Sequence, residues 1–150
     1  MSNKYLQQAT GAFQTILASD LSTALQSFTA QSNANSTTTS TAFTTIPNCS
    51  LTQGSSGVWF VTGYGSFLNN SIAEIFIIRI TDGTTIDTTA AVIAASQGFT
   101  AAAGFSTALS VSGIATSPSS QLTLQFAGNY PPVAGFAQSG YCGITAVRIG

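Results

Sequence analysis

Residues 57–68 read Gly57-Val58-Trp59-Phe60-Val61-Thr62-Gly63-Tyr64-Gly65-Ser66-Phe67-Leu68 and decide most of what the chain can become. They hold its only tryptophan among β-branched and aromatic neighbours, a mixture that suits a pleated strand. With period two, Val58, Phe60, Tyr64 and Leu68 share one face, and Trp59, Val61 and Phe67 share the other. Both faces are apolar, so the strand needs cover from a second sheet and from a further element or another subunit. Gly63 and Gly65 fall on the Trp59 side, where a missing side chain admits a large neighbour.

The rest of the composition sharpens this requirement. Of 150 residues 44% are hydrophobic and only 5% charged, against roughly 25% charged in ordinary soluble domains. Ser, Thr, Asn, Gln and Gly make up the polar remainder, so little ionic repulsion keeps copies apart. Three scattered basic residues, Lys4, Arg79 and Arg148, cannot neutralise a row of phosphates or hold a membrane surface. No run of about 18 apolar residues is present, and the start lacks the apolar core of a signal peptide. Neither nucleic acid nor membrane is expected as a partner, and synthesis in a cytoplasm is the expectation.

The first 30 residues carry a different period. Ala9, Phe13, Ile16, Leu17, Leu21, Ala24, Leu25 and Phe28 recur at three- and four-residue steps, which predicts a helix over residues 5–30. Its Ser and Thr content makes it marginal alone, so its stripe must be buried on its own domain or held by sister copies or a host surface. Residues 31–41 then turn to Ser, Asn and Thr, the composition of a linker. The chain therefore divides into an arm, residues 1–41, and a body, residues 42–150.

The body reads as strand and turn throughout. Apolar runs near 42–52, 58–68, 72–80, 84–95, 107–113, 122–126 and 141–149 are separated by signals such as Pro47-Asn48, Asp82-Gly83 and Ser117-Pro118. Residues 72–80 are apolar on both faces, while Leu122, Leu124 and Phe126 alternate with Thr123 and Gln125 as a strand with one solvated face. A long loop over 128–140 offers Tyr130 and Phe136 as exposed aromatics. About eight short strands without intervening helices predict an antiparallel eight-stranded jelly-roll sandwich carrying an N-terminal helical arm.

Three segments occur in order along this body: Ser56-Gly57-Val58-Trp59-Phe60-Val61-Thr62-Gly63, Arg79-Ile80-Thr81-Asp82-Gly83 and Gly140-Tyr141-Cys142-Gly143-Ile144-Thr145-Ala146-Val147-Arg148-Ile149-Gly150. Together they resemble the small jelly-roll modules of tailed-bacteriophage heads and fibres, similar to tumour necrosis factor and the complement globular heads. Those modules usually carry Pro-Gly-x-Trp; here Ser56 stands in place of the proline. The resemblance covers residues 42–150 and implies a homotrimer about a threefold axis, with Trp59, Val61, Phe67, Ile75 and Ile77 at the trimer interface or in the core. It also implies neighbouring first and last strands, which would bring Cys49 and Cys142 close, either as free thiols or as a disulfide.

The inventory of chemistry is thin. There is no histidine, and hence no imidazole base or ligand. The four carboxylates are dispersed; Asp82 and Asp87 flank a turn, where solvation is the ordinary role of such a pair. Gly63-Tyr64-Gly65 precedes no helix and cradles no phosphate. The expectation is a non-enzyme without cofactor or metal. Its leading reading is a trimeric decoration (cement) protein on the outer capsid surface of a phage head. Phe13, Ile16, Leu17, Leu21, Leu25 and Phe28 would then contact the major capsid protein. The alternative is a receptor-binding tip of a tail or head fibre, with Tyr130 and Phe136 stacking on a host glycan. A non-viral ligand-binding jelly roll accords poorly with so little charge.

Overall fold

The computed structural model describes residues 4–7, 13–16, 26–38, 41–53, 56–69, 73–87, 89–119, 121–130 and 135–150. Two short strands, β1 (Lys4–Gln7) and β2 (Phe13–Ile16), pair antiparallel with each other. The remaining strands are β3 (Ser27–Gln31), β4 (Ser36–Thr38), β5 (Thr44–Leu51), β6 (Val58–Asn69), β7 (Glu74–Asp82), β8 (Ala91–Thr100), β9 (Ser106–Thr116), β10 (Leu122–Tyr130), β11 (Gly135–Ala137) and β12 (Gly143–Arg148).

They form two antiparallel sheets. One has the order β5-β10-β7-β8. In the other, β6 is central: β9 runs along one side of it, while β12 and then β11 share the other, with β3 and β4 outside them. The chain crosses repeatedly between sheets, and the architecture is a jelly-roll sandwich. Its core gathers Trp59, Val61 and Phe67 from β6, Phe76, Ile78 and Ile80 from β7, Leu122, Leu124 and Phe126 from β10, and Ile144 and Ala146 from β12. Phe67 bridges the layers, its ring 5.5 Å from Phe76 and 5.6 Å from Phe126.

The helix expected over residues 5–30 does not form in the described part of that range, which is strand in all three places. The physical reason is clearest at Ser27–Gln31. Phe28 and Ala30 turn toward the core, Ser27, Thr29 and Gln31 face out, and the strand pairs along residues 143–147 of β12. A helix built on Ser and Thr without charged i,i+4 pairs gains little by itself. A ladder onto β12 and a Phe28–Trp59 contact at 5.7 Å outweigh it. Residues 27–31 and 36–38, read from sequence as helix end and linker, are thus strands of the body's own sheet.

Two glycines act as the sequence requires. An added Cβ at Gly63 would stand 2.5 Å from Leu124 Cδ1, and one at Gly65 would stand 2.6 Å from Phe67 Cζ. Bareness at Gly63 lets the far sheet close over β6, and bareness at Gly65 makes room for the Phe67 ring of the same strand. At the chain end, Val58 and Gly150 exchange backbone hydrogen bonds, Val58 donating at 2.6 Å.

Candidate assembly surface

The pairing registers assign every residue of the six-stranded sheet to a face. Opposite Trp59, Val61 and Phe67, the outward row of β6 is Val58, Phe60, Thr62, Tyr64, Ser66 and Leu68. Beside it β9 presents Ser106, Ala108, Ser110, Ser112, Ile114 and Thr116, β12 presents Gly143, Thr145 and Val147, and β3 presents Ser27, Thr29 and Gln31. None of these residues carries a charge.

Within this face the rows differ in character. Ile114, Phe60 and Val147 lie side by side across three strands, with Phe60 43% and Ile114 52% exposed. The next row is hydroxyl-bearing: Ser112, Thr62, Thr145 and Thr29, the last two with side-chain oxygens 3.2 Å apart. Tyr64 then lies across β12, because a Cβ at Gly143 would stand 2.6 Å from its phenol oxygen. A bare β-sheet face normally alternates in charged or long polar residues. This one offers greasy rings and neutral hydroxyls, which can be desolvated without stranding a charge.

The charged residues of the two described sheets lie elsewhere. Arg79 is buried on the outer face of the four-stranded sheet, donating from Nε to Gln125 Oε1 at 2.8 Å and from Nη2 to the carbonyls of Ile86 and Asp87 at 3.1 and 3.2 Å. Its guanidinium stacks 3.7 Å above the Phe43 ring. Burial lowers its pKa, and the nearby Asp87 opposes that shift. Gln125 in turn donates to the Thr85 carbonyl at 2.8 Å. The segment after β7 is therefore laced back over its own sheet, and Thr123 and Gln125 of β10 are fully buried. The solvated face expected for that strand is covered, Gln125 by this loop and Thr123 beside the Ser50 hydroxyl of β5, 3.3 Å away. Asp82 and Asp87 do not form a pair: Asp82 accepts from the Ser119 N–H, and Asp87 accepts from the Thr89 N–H and hydroxyl.

Each residue singled out from sequence can now be placed. Trp59, Val61 and Phe67 are core, with the Trp59 indole N–H donating to the Ser56 carbonyl at 2.9 Å. Ile75 and Ile77 are half-buried on the outer side of β7. Phe28 packs on Trp59 and so belongs to the body. Phe13 and Ile16 are in β2, opposite Gln7 and Lys4; Leu17, Leu21 and Leu25 lie outside the described residues. Tyr130 ends β10 and Phe136 lies in β11, paired with Leu68 and Thr37, so the expected 128–140 loop contains strand at both ends. Cys49 and Cys142 are buried free thiols. Burial, then the neighbouring Cys142, pushes Cys49 up to about 12, and burial raises Cys142 as well, so neither is a ready nucleophile. No cluster of three or more His, Cys, Asp or Glu residues occurs among the described residues.

Sequence reasoning missed Phe60, Tyr64 and Ile114 as the exposed set. Their alternation was visible, but two apolar faces of one strand look alike until a partner sheet covers one of them.

No sequence-family profile matches this chain, and no characterised protein matches it by sequence. Among solved structures it is similar to the Eiger TNF of S. frugiperda, with a TM-score of 0.56 and 9% identity over 84% of this chain and 93% of that one. It is also similar to a chain of the T13 IBDV viral particle, with a TM-score of 0.57 and 10% identity over 83% of this chain. That match spans only 31% of the viral chain. At such identities the likeness is one of fold, a jelly roll of the kind found in both a TNF and a viral capsid.

Proposed function

We propose that this chain is a structural protein of a virus particle, a homotrimeric decoration protein on the outer surface of a phage head that stabilises the shell. The observation that carries the reading is the charge-free outer face of the six-stranded sheet, with Phe60, Tyr64 and Ile114 open in the single chain. Fully covering a side chain the size of Phe or Ile is worth roughly 1.5–3 kcal/mol, and about half of each is still uncovered here. Three copies packed through this face would cover it and leave no ionic group stranded. The jelly-roll likeness to a viral-particle chain supports the structural role at the level of fold.

The arm supplies the second half of the reading. A two-stranded hairpin such as β1–β2 is marginal alone in water, so it gains by docking on the major capsid protein. Three arms on one trimer would multiply a weak contact by avidity. Nothing in this role calls for a catalytic group, a cofactor or a metal.

The test uses purified heads lacking this protein. The full chain should sediment as a trimer and bind such heads, while a chain lacking residues 1–25 should remain trimeric and lose binding. That boundary matters: removing residues 1–40 would also strip β3 and β4 from the sheet. A monomeric full chain, or a truncated chain that still binds, would overturn the respective half. A fibre tip that touches a host glycan is the second reading, favoured by Tyr141, 66% exposed beside β12. Hundreds of copies per particle would exclude it.

A further inference from the structure

Glu74 is the only glutamate in the chain and one of four carboxylates. It opens β7 with its side chain on the core side, 0% exposed, and neither carboxylate oxygen has a hydrogen-bond partner among the described residues. In a chain so short of charge, one acid is buried bare.

Its surroundings form a small polar cluster at one end of the sandwich. Thr100 of β8, opposite Glu74, donates its hydroxyl to the Glu74 backbone carbonyl at 3.3 Å. Asn69, the last residue of β6, donates from Nδ2 to that hydroxyl at 3.0 Å. The Thr100 proton is thus committed to a carbonyl and cannot serve the carboxylate. Asn69 also ties down the turn before β9, accepting from the Gly104 N–H at 2.7 Å and donating to the Phe105 carbonyl at 3.1 Å.

No described charge faces the acid. β6 presents Asn69 and Phe67, β8 presents Thr100, and β10 presents Gly128. Arg79 is on the opposite face of β7, and Asp82 is at its far end, about 26 Å along the strand. Arg148 lies at the Val58 end of β6, and Asp87 is in the loop beyond β7.

We infer that Glu74 is a proton-gated latch: protonated, it lets this end of the sandwich close, and ionised, it loosens the Asn69–Thr100 cluster and the turn at 101–105. A neutral carboxyl tolerates an apolar surround, whereas a carboxylate without donors does not. Burial alone holds its pKa up, from an ordinary 4.5 to about 7. Because the folded chain keeps a proton that the unfolded chain releases, stability falls as pH rises from 4.5 to about 7 and levels above that. Other resolved shifts act outside this window: Asp87 is shifted downward from 3.8, and Cys49 upward from 9.0.

Since the chain has a single glutamate, carbon-13 glutamate labelling of the full protein gives one side-chain carboxyl resonance. It should titrate near 7, and hydrogen exchange at the Gly104 and Asn69 amides, corrected for intrinsic rates, should quicken across the same interval. The thermal midpoint at fixed protein concentration should fall over that range in the native protein and stay level in Glu74→Gln. A carboxyl midpoint in the ordinary glutamate range overturns the latch. So does an unchanged slope in Glu74→Gln, and the titration decides the matter by itself if that variant does not fold.

Discussion

The two outer faces of this sandwich are treated in opposite ways. Over the four-stranded sheet the chain folds back on itself: Arg79, Gln125 and the carbonyls of residues 85–87 lock a loop across β7 and β10, and Phe43 slides under the guanidinium. Over the six-stranded sheet Phe60 and Ile114 stay about half exposed, with no such clamp among the described residues. The described residues build a polar clamp over one face and none over the other, and the role proposed above has that second face covered by other copies. On that proposal the contrast also separates two kinds of stability, one within the chain and one between copies.

The largest effect should come from breaking the clamp. Arg79→Ala leaves the Gln125 amide oxygen and the Ile86 carbonyl short of a donor, while the Asp87 carbonyl keeps only the Ala90 N–H. At about 1–3 kcal/mol for a buried group left unpaired, partly relieved by water, a total near 3 kcal/mol is expected in denaturant unfolding. A loss under about 0.5 kcal/mol would mean that the loop is decoration and that the two faces do not differ in kind.

Phe60→Asp asks the same question of the open face. Its effect on the isolated chain should stay within about 0.5 kcal/mol, while self-association should weaken by about 2 kcal/mol, some thirtyfold. Sedimentation over a dilution series reads this directly. Unchanged association would show that copies meet elsewhere.

A third change tests the layer between the faces. Gly63→Ala pushes a methyl into Leu124 of the far sheet and against Val111 of the neighbouring strand β9, and overpacking of that kind costs about 1.5 kcal/mol. The thermal midpoint should drop without any change in assembly, which would separate core packing from surface contact.

The smallest expected effect is acid loosening of the clamp. Hydrogen bonds from the Thr89 hydroxyl and N–H hold the Asp87 carboxyl below its usual value of 3.8, with Arg79 adding to them. The contribution is therefore present above that value and is lost as pH falls below it. Exchange of the Thr89 amide, corrected for intrinsic rates, should quicken there and be indifferent to pH between 5 and 9.

Much of this was written plainly in the chain. The strand at Val58–Asn69, the bare Gly63 and Gly65, and the alternation of Leu109 and Val111 against Ser110 and Ser112 all appear as their spacing requires. Other parts were illegible for definite reasons. Phe28 fits a three-to-four period as well as a two-residue one, and only the presence of β12 beside it makes the strand the better bargain in free energy. Thr123 and Gln125 read as a wet face because nothing local announces the β5 hydroxyl beside the first or the loop that returns over the second. The burial of Glu74 and Arg79 is invisible for the same reason: a charged letter reads as surface until the contacts around it are known.

The amino-acid order by itself determined that this protein is a β-sandwich too greasy on its strands, and too poor in charge, to rely on ionic solvation. Local alternation and turn chemistry suffice for that, since they act over a few residues. Only the tertiary structure decided which side of β6 became core, which outer face received its own cover, and where one acid was left without a partner. Those outcomes depend on which strand lies next to which, and pairing between residues far apart in the chain is not encoded in any short stretch of it.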